Sequence, residues 1–180
     1  MKSCLIVYYS RSGVTDRVAR ALALACGADL ERIRDVRPRT GPGGYLRSAW
    51  QALRGLPDEI AAPLHDPSAY ELVVLGTPVW AGHMSAPMRG YILRQREHFH
   101  RVAMFCTMGG SGGQNTVYAM AELCDKFPAA SLCLRQQEVL AGRDAAAVAG
   151  FAAELTAAGS ATPWPPQAAQ HPPRQAPGAT

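Results

Sequence analysis

The stretch Tyr9-Ser-Arg-Ser-Gly-Val-Thr15 leaves the chain few ways to fold, because an apolar β-prone run ends where it begins and a helical period starts where it stops. Cys4 to Tyr8 is short and apolar, as a central parallel strand buried on both faces should be. Beyond Thr15, Val18, Leu22 and Cys26 follow at steps of four with Ala19 and Ala23 alongside, and Gly27 is a natural helix stop. A strand-to-helix junction of this kind gathers first-turn N–H groups, the positive end of the helix dipole and the hydroxyls of Ser10, Ser12 and Thr15 into one small volume, which suits an anion. Gly13 permits close backbone approach, and Arg11 adds a charged contact from outside. The plainer reading is that Ser12 or Thr15 simply caps the helix.

With 180 residues, 48% of them apolar, the chain can bury one sizeable core and is too short for two ordinary domains. We expect one domain over residues 1–158. From 159 to 180 the composition turns to Pro, Gln, Ala and Gly, with six prolines after Ala161, so a disordered tail is expected. The five cysteines form no C-x-x-C pair, and Cys4, Cys106 and Cys133 lie in strand-like runs, as reduced core thiols of a cytoplasmic protein would. No charged-then-apolar leader precedes Leu5, and no apolar run is long enough for a bilayer, so neither export nor membrane insertion is expected. Residues 1–58 carry ten Lys/Arg against five Asp/Glu, a local +5. Without interleaved aromatics or a base-reading motif, that excess argues for a solvated basic face and against nucleic acid.

Past the first helix, Asp29 to Arg34 reads as a polar strand suited to a sheet edge. Residues 38–44 form a Pro/Gly turn region, and Tyr45, Leu46, Ala49, Trp50 and Leu53 then fall at helical spacing. Leu72 to Leu75 is a second buried strand ending at Gly76, followed by a loop Thr77-Pro-Val-Trp-Ala-Gly-His83 ahead of a helix start at Ala86-Pro87. An aromatic at the carboxyl end of a strand in an open α/β sheet stands at the rim of the ligand crevice, which makes Trp80 a stacking candidate. The alternative is a tryptophan folded back onto the core.

A third strand, Val102 to Cys106, opens into Thr107-Met-Gly-Gly-Ser-Gly-Gly113, with a helix expected from about Thr116 to Lys126. Glycines there can lay several N–H groups against the polar edge of a heterocycle. Ala130 to Val139 reads as the last strand and Arg143 to Ala158 as the last helix. Strands alternating with helices imply a parallel sheet covered on both sides.

These three loops are where the sequence resembles the flavodoxin-like FMN proteins, over roughly residues 1–158. The resemblance implies a doubly wound α/β fold, a five-stranded parallel sheet in the order 2-1-3-4-5 with FMN at the switch point, for which flavodoxin is a standard example. The family's Ser/Thr-x-Ser/Thr-Gly-x-Ser/Thr phosphate signature matches Ser10, Ser12, Gly13 and Thr15, with Arg11 and Val14 in the variable places. Many relatives carry Asn where Val14 stands, so here only its backbone N–H is offered. The second loop, Thr-Pro-x-Trp-x-Gly, matches Thr77, Pro78, Trp80 and Gly82 around Val79, and implies that Trp80 stacks on or flanks the flavin. The third, similar to the Gly-rich loop of the flavodoxin-like quinone reductases, comprises Thr107, Met108, Gly109, Gly110 and Gly112. Amides of Gly109, Gly110 and Gly112 are expected at the pyrimidine edge.

The resemblance implies an FMN-dependent oxidoreductase drawing electrons from NAD(P)H and passing them to a quinone or similar small acceptor. The other reading is an electron carrier that hands electrons to a protein partner, and a second copy of the chain is a further candidate partner. In either case the flavin carries the chemistry and no catalytic side chain is required. Electron-shuttling flavodoxins are typically acidic, and this chain is basic, which favours the enzyme.

Other classes fit less well. Gly109-Gly110-Ser111-Gly112-Gly113 formally matches a serine hydrolase elbow, but the only later histidine is His171, in the tail. A phosphatase loop needs five residues between Cys and Arg, whereas Cys4 and Arg11 are separated by six, and the P-loop signature is absent. His65, His83, His98 and His100 lack the acidic or thiol companions of a metal site.

Overall fold

The computed structural model describes residues 2–36 and 60–160, without the side chains of Lys2, Gly159 and Ser160. The helix expected around Tyr45 to Leu53 and the residues after Ser160 lie outside the described residues.

Strand β1 (Lys2–Tyr8) lies at the middle of a parallel sheet, between β2 (Asp29–Arg32) and β3 (Tyr70–Trp80), and β5 (Arg101–Met108) and β6 (Ser131–Arg135) extend it beyond β3. The order β2-β1-β3-β5-β6 is the expected 2-1-3-4-5 once the two-residue β4 (His83–Met84), which pairs only with β3, is set aside. Alternate residues of each strand serve opposite faces. Leu5, Val7 and Tyr9 pack with Met88, Tyr91 and Ile92 of α2 (Ala86–Gln95) and Val117 and Met120 of α3 (Gly113–Cys124). On the other side Cys4, Ile6 and Tyr8 pack with Val18 and Leu22 of α1 (Val14–Cys26), Val139 of α4 (Gln136–Leu140) and Phe151 and Leu155 of α5 (Ala145–Ser160). Both faces are covered, which is why the central strands have no polar alternation to read.

The polar strand is at the edge, as its composition predicts, though it ends at Arg32. Its Glu31 is buried because the carboxylate accepts the backbone N–H groups of Leu64 and His65, each at 3.0 Å.

Other boundaries differ from expectation too, three of them for a visible physical reason. Strand β3 does not stop at Gly76: it pairs with β5 as far as Pro78, then turns back on itself through β4. Gly76 lies opposite Phe105, whose ring occupies the place of a side chain, so the glycine marks tight packing and not a strand end. Helix α3 begins three residues early, at Gly113, because Gly112 at φ 94° turns the chain into it. The last strand ends at Arg135, where the Glu138 carboxylate accepts the Arg135 N–H at 3.3 Å and starts α4, which buries Val139.

Candidate functional site

The first loop is held from several sides. Ser10 is buried, and its Oγ accepts the N–H of Gly13 at 3.2 Å while its carbonyl accepts an Arg32 guanidinium N–H at 2.8 Å. Gly13 then sits at φ 88° as the residue before α1, a conformation that disfavours any side chain, and a Cβ there would meet nothing within 4 Å. The helix geometry leaves the amides of Val14, Thr15 and Asp16 without an intrahelical acceptor; the next, from Arg17, is bound to the Gly13 carbonyl at 3.0 Å. Arg11 and Ser12 are exposed beside those amides.

Asp16 places a carboxylate in the same turn, but its charge is engaged. The Tyr8 hydroxyl donates to it at 2.5 Å and Arg20 at 2.8 Å. The Arg20 bond chiefly holds the Asp16 carboxyl below the usual range, while burial and then the bond to Asp16 push the Tyr8 phenol up to about 12.

The second segment is a β-hairpin. Val79 pairs with Met84 and Trp80 with His83, and both turn residues, Ala81 at φ 49° and Gly82 at φ 81°, are left-handed, as a two-residue hairpin turn of the primed type requires. Trp80 is therefore fixed by strand pairing. Its half-buried ring meets Tyr9 edge-on, with centroids 5.6 Å apart and planes at 88°. The Tyr9 hydroxyl in turn donates to Asp35 at 2.8 Å. Thr77, at the start of this segment, has partners within the protein. It is fully buried, donating to Ser85 Oγ at 3.0 Å and accepting the Ser85 N–H at 3.0 Å, so it ties the hairpin to the start of α2.

The third segment meets both others. Thr107 is buried, and its hydroxyl lies 2.8 Å from that of Thr15, so these two groups satisfy each other at the base of the crevice. A Cβ on Gly112 would lie 3.0 Å from Gly82 Cα, and the Thr116 hydroxyl donates to the Gly82 carbonyl at 3.3 Å. Gly109, Gly110 and Ser111 are exposed, and the two glycines have open space where a side chain would point. Met108 is half-buried beneath them.

The three predicted loops thus converge at the carboxyl ends of β1, β3 and β5. Within them Arg11, Ser12, Gly13, Ala81, Gly82, His83, Gly109, Gly110 and Ser111 are exposed, whereas Thr15, Thr77 and Thr107 are buried. Sequence reasoning did not single out Tyr9, Asp16 or Thr116. Tyr9 adjoins the first motif and Thr116 lies one helical turn beyond the third, but their partners are distant in sequence. Beside the first loop lies a hollow of about 660 Å³, where Arg11, Arg20, Arg32 and Arg34 surround Tyr8 and Leu30.

A parallel sheet covered on both faces, with a helix start, an aromatic hairpin and a glycine loop meeting at the carboxyl ends of its strands, defines a doubly wound α/β protein. The chain belongs to the flavodoxin family, whose model, described as Flavodoxin, matches residues 3–146. It is similar in structure to a flavoprotein in complex with FMN from Lactobacillus acidophilus NCFM, with a TM-score of 0.64 and 24% identity, over 78% of this chain and 98% of that one. It is also similar to the flavodoxin, WrbA-like protein from Agrobacterium tumefaciens, with a TM-score of 0.54 and 17% identity, over 86% and 96% of the two chains. No curated protein matches the chain.

Proposed function

We propose that the chain binds FMN and acts as an NAD(P)H-dependent oxidoreductase on a quinone or similar small acceptor. The observation that carries the reading is the meeting of the three loops, with Thr15 on Thr107, Thr116 on Gly82 and Tyr9 against Trp80.

The residues suit the cofactor. The phosphoryl group would be held by the amides of Val14 and Thr15, the Ser12 hydroxyl and the Arg11 guanidinium, over a Gly13 that leaves the approach open. Pro78, Val79 and Trp80 line one side of the ring site, and Gly82 sets the hairpin's turn. Gly109, Gly110 and Gly112 would offer amides to the pyrimidine edge, where donors favour a reduced anionic ring. Bound flavin would supply two-electron or one-electron redox chemistry; the protein's part is to position it and to hold charge beside it.

The open space over Gly109 and Gly110 leaves one side of the glycine loop accessible to a small substrate or a partner protein, and Tyr118 lies on α3, outside that loop. What supports an enzyme is charge. The arginine-lined hollow beside the first loop offers positive charge to a phosphate-bearing donor. A carrier serving a protein partner is the second reading, favoured by the same exposed loop tips. Absorbance of the purified protein, mass identification of released flavin and nucleotide-driven quinone reduction test both readings. Bound FMN with turnover by NADH or NADPH is the expected result; FMN inert to both nucleotides would favour the carrier, and failure to bind FMN would end both.

A further inference from the structure

We propose that Cys106 and Cys133 form a peroxide-oxidisable dithiol, a modification site that closes to a disulfide across β5 and β6 directly beneath the glycine-rich loop. The two residues are register partners on adjacent parallel strands, and their sulfurs are 3.5 Å apart. Neighbouring strands lie about 4.8 Å apart, within the roughly 4.4–6.8 Å that a disulfide spans between Cα atoms, so closure needs side-chain rotation and little backbone movement.

The surroundings differentiate the two thiols. Cys133 is half-buried and so reachable by a small oxidant, whereas Cys106 is fully buried behind it. The Cys106 S–H reaches Cys133 Sγ and also the Gly113 carbonyl, at 3.7 Å. Donation from Cys106 holds the Cys133 thiol below its ordinary value, while burial pushes Cys4 and Cys124 up to about 12 and raises Cys26. Cys133 is the attacking sulfur and Cys106 the resolving one.

The chemistry balances with hydrogen peroxide as the oxidant. The Cys133 thiolate attacks one peroxide oxygen, the O–O bond breaks, and hydroxide leaves a sulfenic acid. Cys106 sulfur then attacks that sulfur, the S–S bond forms, and its proton leaves with the oxygen as water. Two thiols and one peroxide become one disulfide and two waters. A thiol reductant reverses the step through a mixed disulfide.

Gly113 couples the site to the loop above. A Cβ there would lie 3.2 Å from Cys106 Sγ, 3.1 Å from Cys133 Sγ and 2.9 Å from Met108 Sδ, so the first residue of α3 rests on the sulfurs. The side chain that Gly113 lacks is what leaves the sulfurs room beneath the turn that sets Gly112.

Peroxide titration of the full chain as purified, followed by alkylation and non-reducing peptide mapping, tests the site without relying on flavin or turnover. We expect a reductant-sensitive Cys106–Cys133 link that forms at least about tenfold faster than loss of the other three thiols. Cys106→Ser should leave Cys133 trapped as a dimedone-reactive sulfenic acid. Oxidation falling first on Met108, Cys4, Cys26 or Cys124, or a link between another pair, would overturn the proposal. The wild-type map decides the matter alone if the variant does not fold.

Discussion

The hydroxyl of Thr15, at the start of the first helix, lies 2.8 Å from that of Thr107, ninety-two residues further along the chain, and both side chains are buried. This contact fastens the first loop to the third at the floor of the crevice. Replacing Thr107 by Val leaves the Thr15 hydroxyl buried without its partner and should cost about 1–3 kcal/mol of stability. The double variant Thr15→Val, Thr107→Val should cost less than the sum of the two single changes, since no orphaned hydroxyl remains. Denaturant unfolding of the four proteins measures the coupling, and strict additivity would dissolve the link.

Gly76 is required by its neighbour on β5. A Cβ there would lie 2.1 Å from the Phe105 ring, which is fully buried. Gly76→Ala should therefore destabilise by about 1–3 kcal/mol through overpacking. Phe105→Leu in the same chain should recover part of that loss, as read from thermal midpoints.

Flavin affinity should depend more on the first loop than on the tryptophan. Charge-assisted hydrogen bonds are worth roughly 1.5–3 kcal/mol each and an aromatic contact roughly 0.5–1.5 kcal/mol beyond its area. Ser12→Ala combined with Gly13→Ala removes a hydroxyl and strains a backbone at φ 88°, so it should weaken FMN binding more than Trp80→Ala does. Fluorescence titration of the apoprotein gives the ranking; the reverse order would move the phosphate elsewhere.

The Tyr8–Asp16–Arg20 cluster predicts opposite pH limbs. Asp16 titrates lower in the folded chain than in the unfolded one, so its contribution is present above about pH 4 and fades as pH falls through the folded value. Tyr8 is raised to about 12, so its contribution is complete below about pH 10 and is lost as pH climbs toward 12. Unfolding midpoints against pH should show Asp16→Asn flattening the acid limb and Tyr8→Phe the alkaline one. An Asp16→Asn profile that keeps the wild-type acid slope would place that slope on other carboxylates.

Much of the crevice was readable because its chemistry is local. The first loop needs a strand, a glycine at positive φ and a helix start in consecutive residues, and all three are written from Cys4 to Val18. The hairpin was harder to read. Thr77 to His83 has the composition of a loop, and only pairing with Met84 and His83 makes Val79 and Trp80 a strand. Likewise Val139 reads as the end of the last strand, whereas the chain turns into a helix after Arg135, whose N–H the Glu138 carboxylate accepts.

Residue order by itself determined the alternation of strands and helices and the three loops between them, because hydrophobic period and turn chemistry act over a few residues; the strand order and its switch point were implied by the family resemblance. Tertiary structure alone decided which hydroxyls and thiols are consumed by one another: Thr77 on Ser85, Thr15 on Thr107, and Cys106 against Cys133. Those outcomes depend on strand register, which brings together groups from 8 to 92 residues apart, and no local pattern records such a pairing.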